Sequence, residues 1–280
     1  MSGAISICRL TFHEAILDGI LTISKKGVPS IADSGSKISV EIACQIVERI
    51  GKANVSEKGA GQTAGSDFES ACANFVNSAF SQLSHVRPGK FTVTKGGSIA
   101  QFDQYSHLDE IEAIAKQSKE IATALGSDYI IKPDIVVSKQ PFPDDELNAL
   151  ANLVDVDSAK LSPLRARNQE MATLHASISC KWTLRSDRAQ NARSEGLNLV
   201  RNRKGRLPHI VAITAEPMPS RIASLALGTG DIDCVYHFAL PELRESLIEL
   251  NRDDALDLLD TMVAGKRLRD ISDLPLDLAV

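Results

Sequence analysis

Residues 174 to 182, LHASISCKW, alternate between two kinds of side chain: Leu174, Ala176, Ile178, Cys180 and Trp182 fall on one face, His175, Ser177, Ser179 and Lys181 on the other. That two-residue period is the signature of a β-strand, here with one face for the core and one for chemistry. Upstream, DYIIKPDIVVS (128 to 138) predicts a strand whose start is an edge or a bulge, because Pro133 removes a ladder donor. Downstream, HIVAITA (209 to 215) and DCVYHFAL (233 to 240) predict two more strands. Ile42, Ile46 and Ile50 recur at helical spacing in 37–51, which predicts a helix ending at Gly51. Phe68, Cys72, Phe75, Val76, Ala79 and Leu83 make one apolar stripe behind Ser66 and Glu69, a capping-box pair. Further helices are expected over 107–125, 188–203, 241–250 and 253–264. Helices first, a mixed sheet in the middle and helices after it give the α/β class: a central mixed β-sheet flanked by helices, in a single domain spanning 1–280.

Composition narrows the function. The chain has 280 residues, 43% of them apolar, enough for a sizeable core and against disorder. No stretch approaches the roughly 18 apolar residues of a membrane span, and the N-terminus lacks a basic segment followed by an apolar one, so a soluble, unexported protein is expected. The cysteines, Cys8, Cys44, Cys72, Cys180 and Cys234, are widely spaced and never form C-x-x-C, which excludes a disulfide framework or cysteine-rich zinc site. The formal net charge is -5, but it is segregated: residues 160 to 206 hold eleven basic and three acidic side chains. A basic stretch on an acidic body suits a protein that holds a polyanion at one surface. A charge run can equally be a solvated helix face.

Asp134 lies among Ile131, Ile135, Val136 and Val137. A carboxylate there is costly to bury unless it binds a cation or a donor, although it can simply end a hydrogen-bond network. Lys181 ends its strand beside Ser179, and Glu195 falls about two turns into the following helix. If the strands pair, Asp134, Lys181 and Glu195 converge at one sheet end. Carboxylates hold Mg²⁺ through hard oxygens, and a nearby lysine can orient or deprotonate a water. Phosphodiester hydrolysis needs that combination: an activated nucleophile, a neutralised phosphate and a stabilised leaving oxygen. Immediately after come Arg185, Asp187 and Arg188. Arginine pairs with guanine O6 and N7 and an acid accepts from the cytosine amino group, so the trio can read adjacent G·C pairs in a major groove. Ser186 or Asp187 also suits a helix N-cap.

These residues sit in longer runs that resemble a known family. HASISCKWTLRSDRAQNARSEGLNLVRNRKGRLPHI (175 to 210), GQTAG (61 to 65), ALGSDYIIKPDIVV (124 to 137), ALGTGDIDCVYHFAL (226 to 240) and GKRLRDISDLPLDLAV (265 to 280) are similar to type II restriction endonucleases of the PD-(D/E)XK nuclease superfamily, in the branch that reads CCGG-centred sites. The likeness spans essentially the whole chain and is weakest around 86–110 and 138–170. The usual pattern places an acid two residues before the lysine, where this chain has Ser179. The resemblance implies that Glu195, from the next helix, takes the missing place.

It further implies a restriction-endonuclease-like core and an active site of Asp134, Lys181 and Glu195 with Ser179 beside them. Mg²⁺ is the implied cofactor, two ions per site, held by Asp134, Glu195 and the Cys180 carbonyl. Glu69 matches a position at the edge of that site, while the capping-box reading with Ser66 remains open. Arg185, Asp187 and Arg188 are implied contacts to the inner CCGG bases, Asp33 and Arg221 to the outer G·C pair, and Gln62 to the minor groove; without the resemblance, residues 59–65 read as a flexible turn. The implied target is GCCGGC, cut after the first G to leave four-base 5′ overhangs with 5′ phosphates. The implied partners are double-stranded DNA with a palindromic G·C-rich site, further copies of the chain in a homotetramer (a dimer of dimers), and a cognate DNA methyltransferase. No membrane is involved, and the implied setting is the prokaryotic cytoplasm. Two alternatives keep part of this: a non-catalytic sequence-specific DNA-binding protein, which has no reason to place Asp134 and Lys181 as they are, and a structure-specific repair nuclease, which has no use for Arg185, Asp187 and Arg188.

Overall fold

The computed structural model describes residues 2–55, 61–125, 130–228 and 230–280, with the backbone alone at 54, 55, 61, 62, 125, 186 and 187. In chain order come α1 (Ala4–Ala15), β1 (Thr22–Ile23), α2 (Lys37–Ile50), β2 (Asn54–Val55), α3 (Gly61–Phe80), β3 (Phe91–Lys95), α4 (His107–Gln117), α5 (Lys119–Leu125), β4 (Ile135–Lys139) and α6 (Asp144–Leu147). Then follow β5 (Thr173–Lys181), α7 (Ser186–Asn202), β6 (His209–Thr214), α8 (Pro219–Ala226), β7 (Cys234–His237), α9 (Leu240–Glu249), α10 (Asp253–Ala264), β8 (Leu268–Asp270) and α11 (Leu274–Asp277).

Among the described residues, one six-stranded sheet has the order β3-β4-β5-β6-β7-β8. β4 runs antiparallel to both β3 and β5, and β5 to β8 run parallel. The sheet is therefore mixed and flanked by helices, as the element order predicts. Parallel neighbours need crossover connections, and α7 supplies the one between β5 and β6. Both faces of β5 are covered: Leu174, Ala176, Ile178 and Cys180 are buried, and so is Ser177 opposite them. The second face is thus not an open chemical surface along its length; its polar side chains emerge at its two ends, at His175 and at Ser179 and Lys181.

The stripe on α3 is buried as its spacing predicts, with Phe68, Cys72, Val76 and Ala79 wholly enclosed, and Phe75 meets Phe12 of α1 with ring centroids 5.5 Å apart. Ser36 caps α2 by accepting the Ser39 N–H, and Gly51 ends it at φ 142°, where a Cβ would lie 2.8 Å from Leu17. Both the left-handed backbone and the close approach require glycine there.

Several expectations need correcting. α3 begins at Gly61, so most of the presumed flexible turn at 59–65 is helix. Ser66 lies inside that helix, which removes the capping box with Glu69. The 107–125 helix is two, broken at Ser118, whose backbone is extended. Pro133 precedes β4 rather than interrupting it, and Asp134 stands one residue before the strand. α7 starts at Ser186 with Arg185 in the N-cap position, so neither Ser186 nor Asp187 is the cap. The predicted 233–240 strand keeps only Cys234–His237. Sequence periodicity missed α1, β3 and β8, short or amphipathic elements formed by tertiary packing. No helix among the described residues is long and apolar enough to cross a membrane.

Candidate active site

The antiparallel register sets Ile135 opposite Ile178, so Asp134 comes alongside Ser179 at the end of β5. One oxygen of Asp134 gathers three donors from that strand end. Oδ2 accepts the Cys180 main-chain N–H at 2.7 Å, the Lys181 ammonium at 3.1 Å and, weakly, the Ser179 hydroxyl at 3.5 Å. Burial opposes the Lys181 charge, but Asp134 and then Glu195 outweigh it and hold its pKa above the ordinary lysine value. Glu195, half-buried on α7, also has its pKa raised: burial raises it most, Lys181 pulls it down and Asp134 adds to the rise. The three residues foreseen to converge do so, with Ser179 and the Cys180 backbone beside them.

Glu195 owes its place to its neighbour. A Cβ on Gly196 would sit 2.6 Å from the Asp231 carbonyl oxygen and 3.4 Å from Ile210, so the missing side chain is what lets α7 lie this close to β6.

The cluster fits a divalent cation. The Asp134 and Glu195 carboxyl groups flank one lysine, and their oxygens are the hard donors that such a cation takes. Among the described residues no three His, Cys, Asp or Glu side chains gather as ligands. A main-chain carbonyl, water or substrate oxygen must therefore complete the shell, as is usual for Mg²⁺.

Glu69 faces a partner that the sequence did not flag. Lys95, the last residue of β3, stands opposite Ile135, and the Gly96 N–H donates to the Asp134 carbonyl at 2.9 Å. The Lys95 ammonium lies 3.5 Å from Glu69 Oε2 and donates to Ser66 O and Oγ, both at 2.8 Å, and to Ser70 Oγ at 3.0 Å. Lys95 thus ties α3 to the strand edge that carries Asp134. The alternation in FTVTK was the signal that could have found it.

Beside this cluster, Asp33, Trp182, Thr183, Arg185, Arg188 and Arg221 line a cavity of about 300 Å³. Asp33 and Arg221 form a hydrogen-bonded ion pair, and Asp33 also accepts the Gly35 N–H at 3.0 Å. Arg221 first, then Gly35 and, more weakly, Arg185 hold the Asp33 carboxyl below its ordinary pKa. Arg188 donates to Thr183 Oγ1 at 3.1 Å, which aims it along the turn. Four of the six foreseen reader residues therefore share one concavity. The Gln62 and Asp187 side chains lie outside the described residues.

Underneath sits Glu216, which the sequence reading also missed although its signal, an acid just past the end of an apolar strand, parallels that of Asp134 just before the start of one. Its carboxylate accepts the N–H of Leu184 at 2.8 Å and of Met218 at 3.2 Å and lies 3.8 Å from the Arg221 guanidinium. Burial pushes its pKa up to about 7.

Arg165 leaves the basic stretch altogether. Its side chain is 2% exposed, paired with Asp144 at 2.6 Å and donating to the carbonyls of Ser158 and Asp155, so it organises the 141–171 loop.

Residues 12–280 match the family described as NgoMIV restriction enzyme. The chain belongs to that family. It is 57% identical over 278 residues to the type II restriction enzyme NgoMIV of Neisseria gonorrhoeae, covering 97% of each chain. As a member of the NgoMIV restriction enzyme family it is a type II site-specific deoxyribonuclease, and the non-catalytic and repair readings fall. Membership implies, at a general level, a divalent metal cofactor and double-stranded DNA as the bound partner.

Proposed function

We propose that the chain cuts double-stranded DNA at GCCGGC after the first G in a Mg²⁺-dependent hydrolysis, leaving four-base 5′ overhangs with 5′ phosphates. The observation that carries the reading is the Asp134–Lys181 contact of 3.1 Å, coupled to Glu195 and adjoining the arginine-lined cavity. Asp134, Glu195 and the Cys180 carbonyl would hold Mg²⁺, two ions per site. Bound there, the metal supplies a water of lowered pKa and neutralises phosphate charge.

The rest belongs to the chain. Lys181, in contact with Asp134, orients the attacking water and offsets charge at the phosphate. Asp134 fixes that side chain, and Ser179 and the Cys180 N–H fix Asp134. The water oxygen attacks phosphorus in line opposite the 3′ oxygen, forming a P–O bond as P–O3′ breaks; the attacking water gives up a proton to solvent and the leaving oxygen takes one from solvent, leaving a 5′ phosphate and a 3′ hydroxyl. Glu69, anchored through Lys95, borders the site. Arg185 and Arg188 donate to guanine O6 and N7 of the inner bases, Asp187 accepts from cytosine, Asp33 and Arg221 read the outer pair, and Gln62 reaches the minor groove.

The enzyme acts as one 280-residue domain in a homotetramer, a dimer of dimers, in the prokaryotic cytoplasm alongside a cognate methyltransferase. Digesting DNA of known sequence with Mg²⁺ and sequencing the ends tests the reading. Ends within GCCGGC are expected; ends at another sequence, or none from folded protein, overturn it.

A further inference from the structure

At the far end of the sheet lies a second basic site that DNA cleavage does not use. Arg87, Lys139, His175, Arg206 and His209 line a cavity of about 170 Å³. His175 lies six residues before Lys181 on β5, about 20 Å along the strand from the Asp134–Lys181 contact. The cavity is therefore separate from both the hydrolytic cluster and the base-reading concavity.

Its cations lack counter-charges. Among the described residues no carboxylate pairs with Arg87, Lys139 or Arg206. The Lys139 ammonium instead lies over the rings of Phe91 and Phe142, 5.5 and 5.8 Å from their centroids. Burial and then the charges of Arg87 and Arg206 push its pKa down, as for a cation crowded by its own kind. Arg87 Nε is buried without a hydrogen-bond partner, and its other branch reaches only the Ala279 carbonyl, at 3.4 Å.

The walls are built rather than incidental. Gln104, itself buried, donates to the carbonyls of Leu174 at 2.8 Å and Arg206 at 3.4 Å, which fixes the backbone on both sides. His175 is held to the Leu278 carbonyl at 2.7 Å and packs edge to face on His209 with centroids 5.1 Å apart. The nearest acids behind His209 are committed elsewhere, Asp233 to the Ile210 N–H and Asp277 to Tyr236 and Arg269.

We propose that this cavity is an anion site that takes a phosphate group, bound by Arg87, Lys139 and Arg206 with His209 at its rim. A compact dianion supplies the charge the three cations lack and acceptors for the unpartnered Arg87 donor; charge-assisted bonds of this kind are the strong ones. The small, walled volume suits a single phosphate rather than the width of a duplex.

The test titrates the full-length protein with inorganic phosphate, following the His209 imidazole ¹⁵N resonances by NMR and the heat by calorimetry. A saturable shift at His209 is expected, with affinity falling roughly tenfold in Lys139→Met, which keeps the stem between Phe91 and Phe142, and in the rim variant Arg206→Gln. A nucleoside 5′-monophosphate and a short duplex lacking the hexamer are then added as competitors. Displacement by the monophosphate alone identifies a small-molecule ligand, whereas displacement by the duplex identifies a nucleic-acid phosphate; both outcomes support the site. No shift at His209, or phosphate affinity unchanged in folded Arg206→Gln and Lys139→Met, overturns it.

Discussion

The buried carboxylate of Glu216 accepts the main-chain N–H of Leu184 at 2.8 Å, one residue before Arg185. The same carboxylate accepts from Met218, at the start of the helix that carries Arg221. One acid thus clamps together the two segments that offer arginines to the concavity, without itself reaching it.

A pH dependence follows. Glu216 has a folded pKa of about 7 against 4.5 when exposed, so between those values the folded state holds a proton that the unfolded state has released. Its contribution to stability therefore declines as pH rises from about 4.5 to 7, by up to about 3 kcal/mol. Glu216→Gln removes the titration. Urea denaturation at pH 5 and pH 8 should show the variant gaining on the parent at the higher pH, and a pH-independent difference would refute this account.

The Asp33–Arg221 pair is preformed, so its members should not act independently on DNA. Arg221→Gln is expected to weaken binding of the hexamer by about 1–3 kcal/mol. Adding Asp33→Asn should cost less than the sum, with a coupling of about 1–2 kcal/mol in a double-mutant cycle. Strict additivity would mean that the two residues contact the duplex separately.

Gly196→Ala separates placement from chemistry. The new methyl meets the Asp231 carbonyl, so α7 must move and carry Glu195 with it. Turnover is expected to fall at least tenfold, since displacements of about 1 Å can cost 10²-fold. Far-UV circular dichroism should remain that of the parent.

Arg165→Met strips Asp144 and the carbonyls of Ser158 and Asp155 of their shared donor. Breaking such a pair typically costs about 3–5 kcal/mol, and less here because Asp144 is a third exposed. The loss should appear as proteolytic nicking within 148–164 well before global unfolding.

The end of the sheet proposed to be catalytic was legible in the sequence because its residues break the apolar pattern around them. Asp134 intrudes on a run of branched side chains, and Lys181 terminates a clean alternation. Lys95 and Glu216 carry comparable signals and were passed over, the first on a short edge strand, the second in a turn. The capping box at Ser66 and Glu69 failed for a different reason: α3 already begins at Gly61, with Ala64 packed against the core, so Ser66 lies inside the helix. The Asp33–Arg221 pair joins residues 188 positions apart, and no local pattern encodes such a distance.

One irregularity divides the long strand pair. Val137 faces Ala176, but Ser138 faces Leu174, so His175 is an extra residue on β5 with no partner on β4. Such a kink works as an expansion joint: a strain or length change at the phosphate-sized cavity beyond it can be taken up locally, leaving the spacing of Asp134 against Cys180 and Lys181 undisturbed.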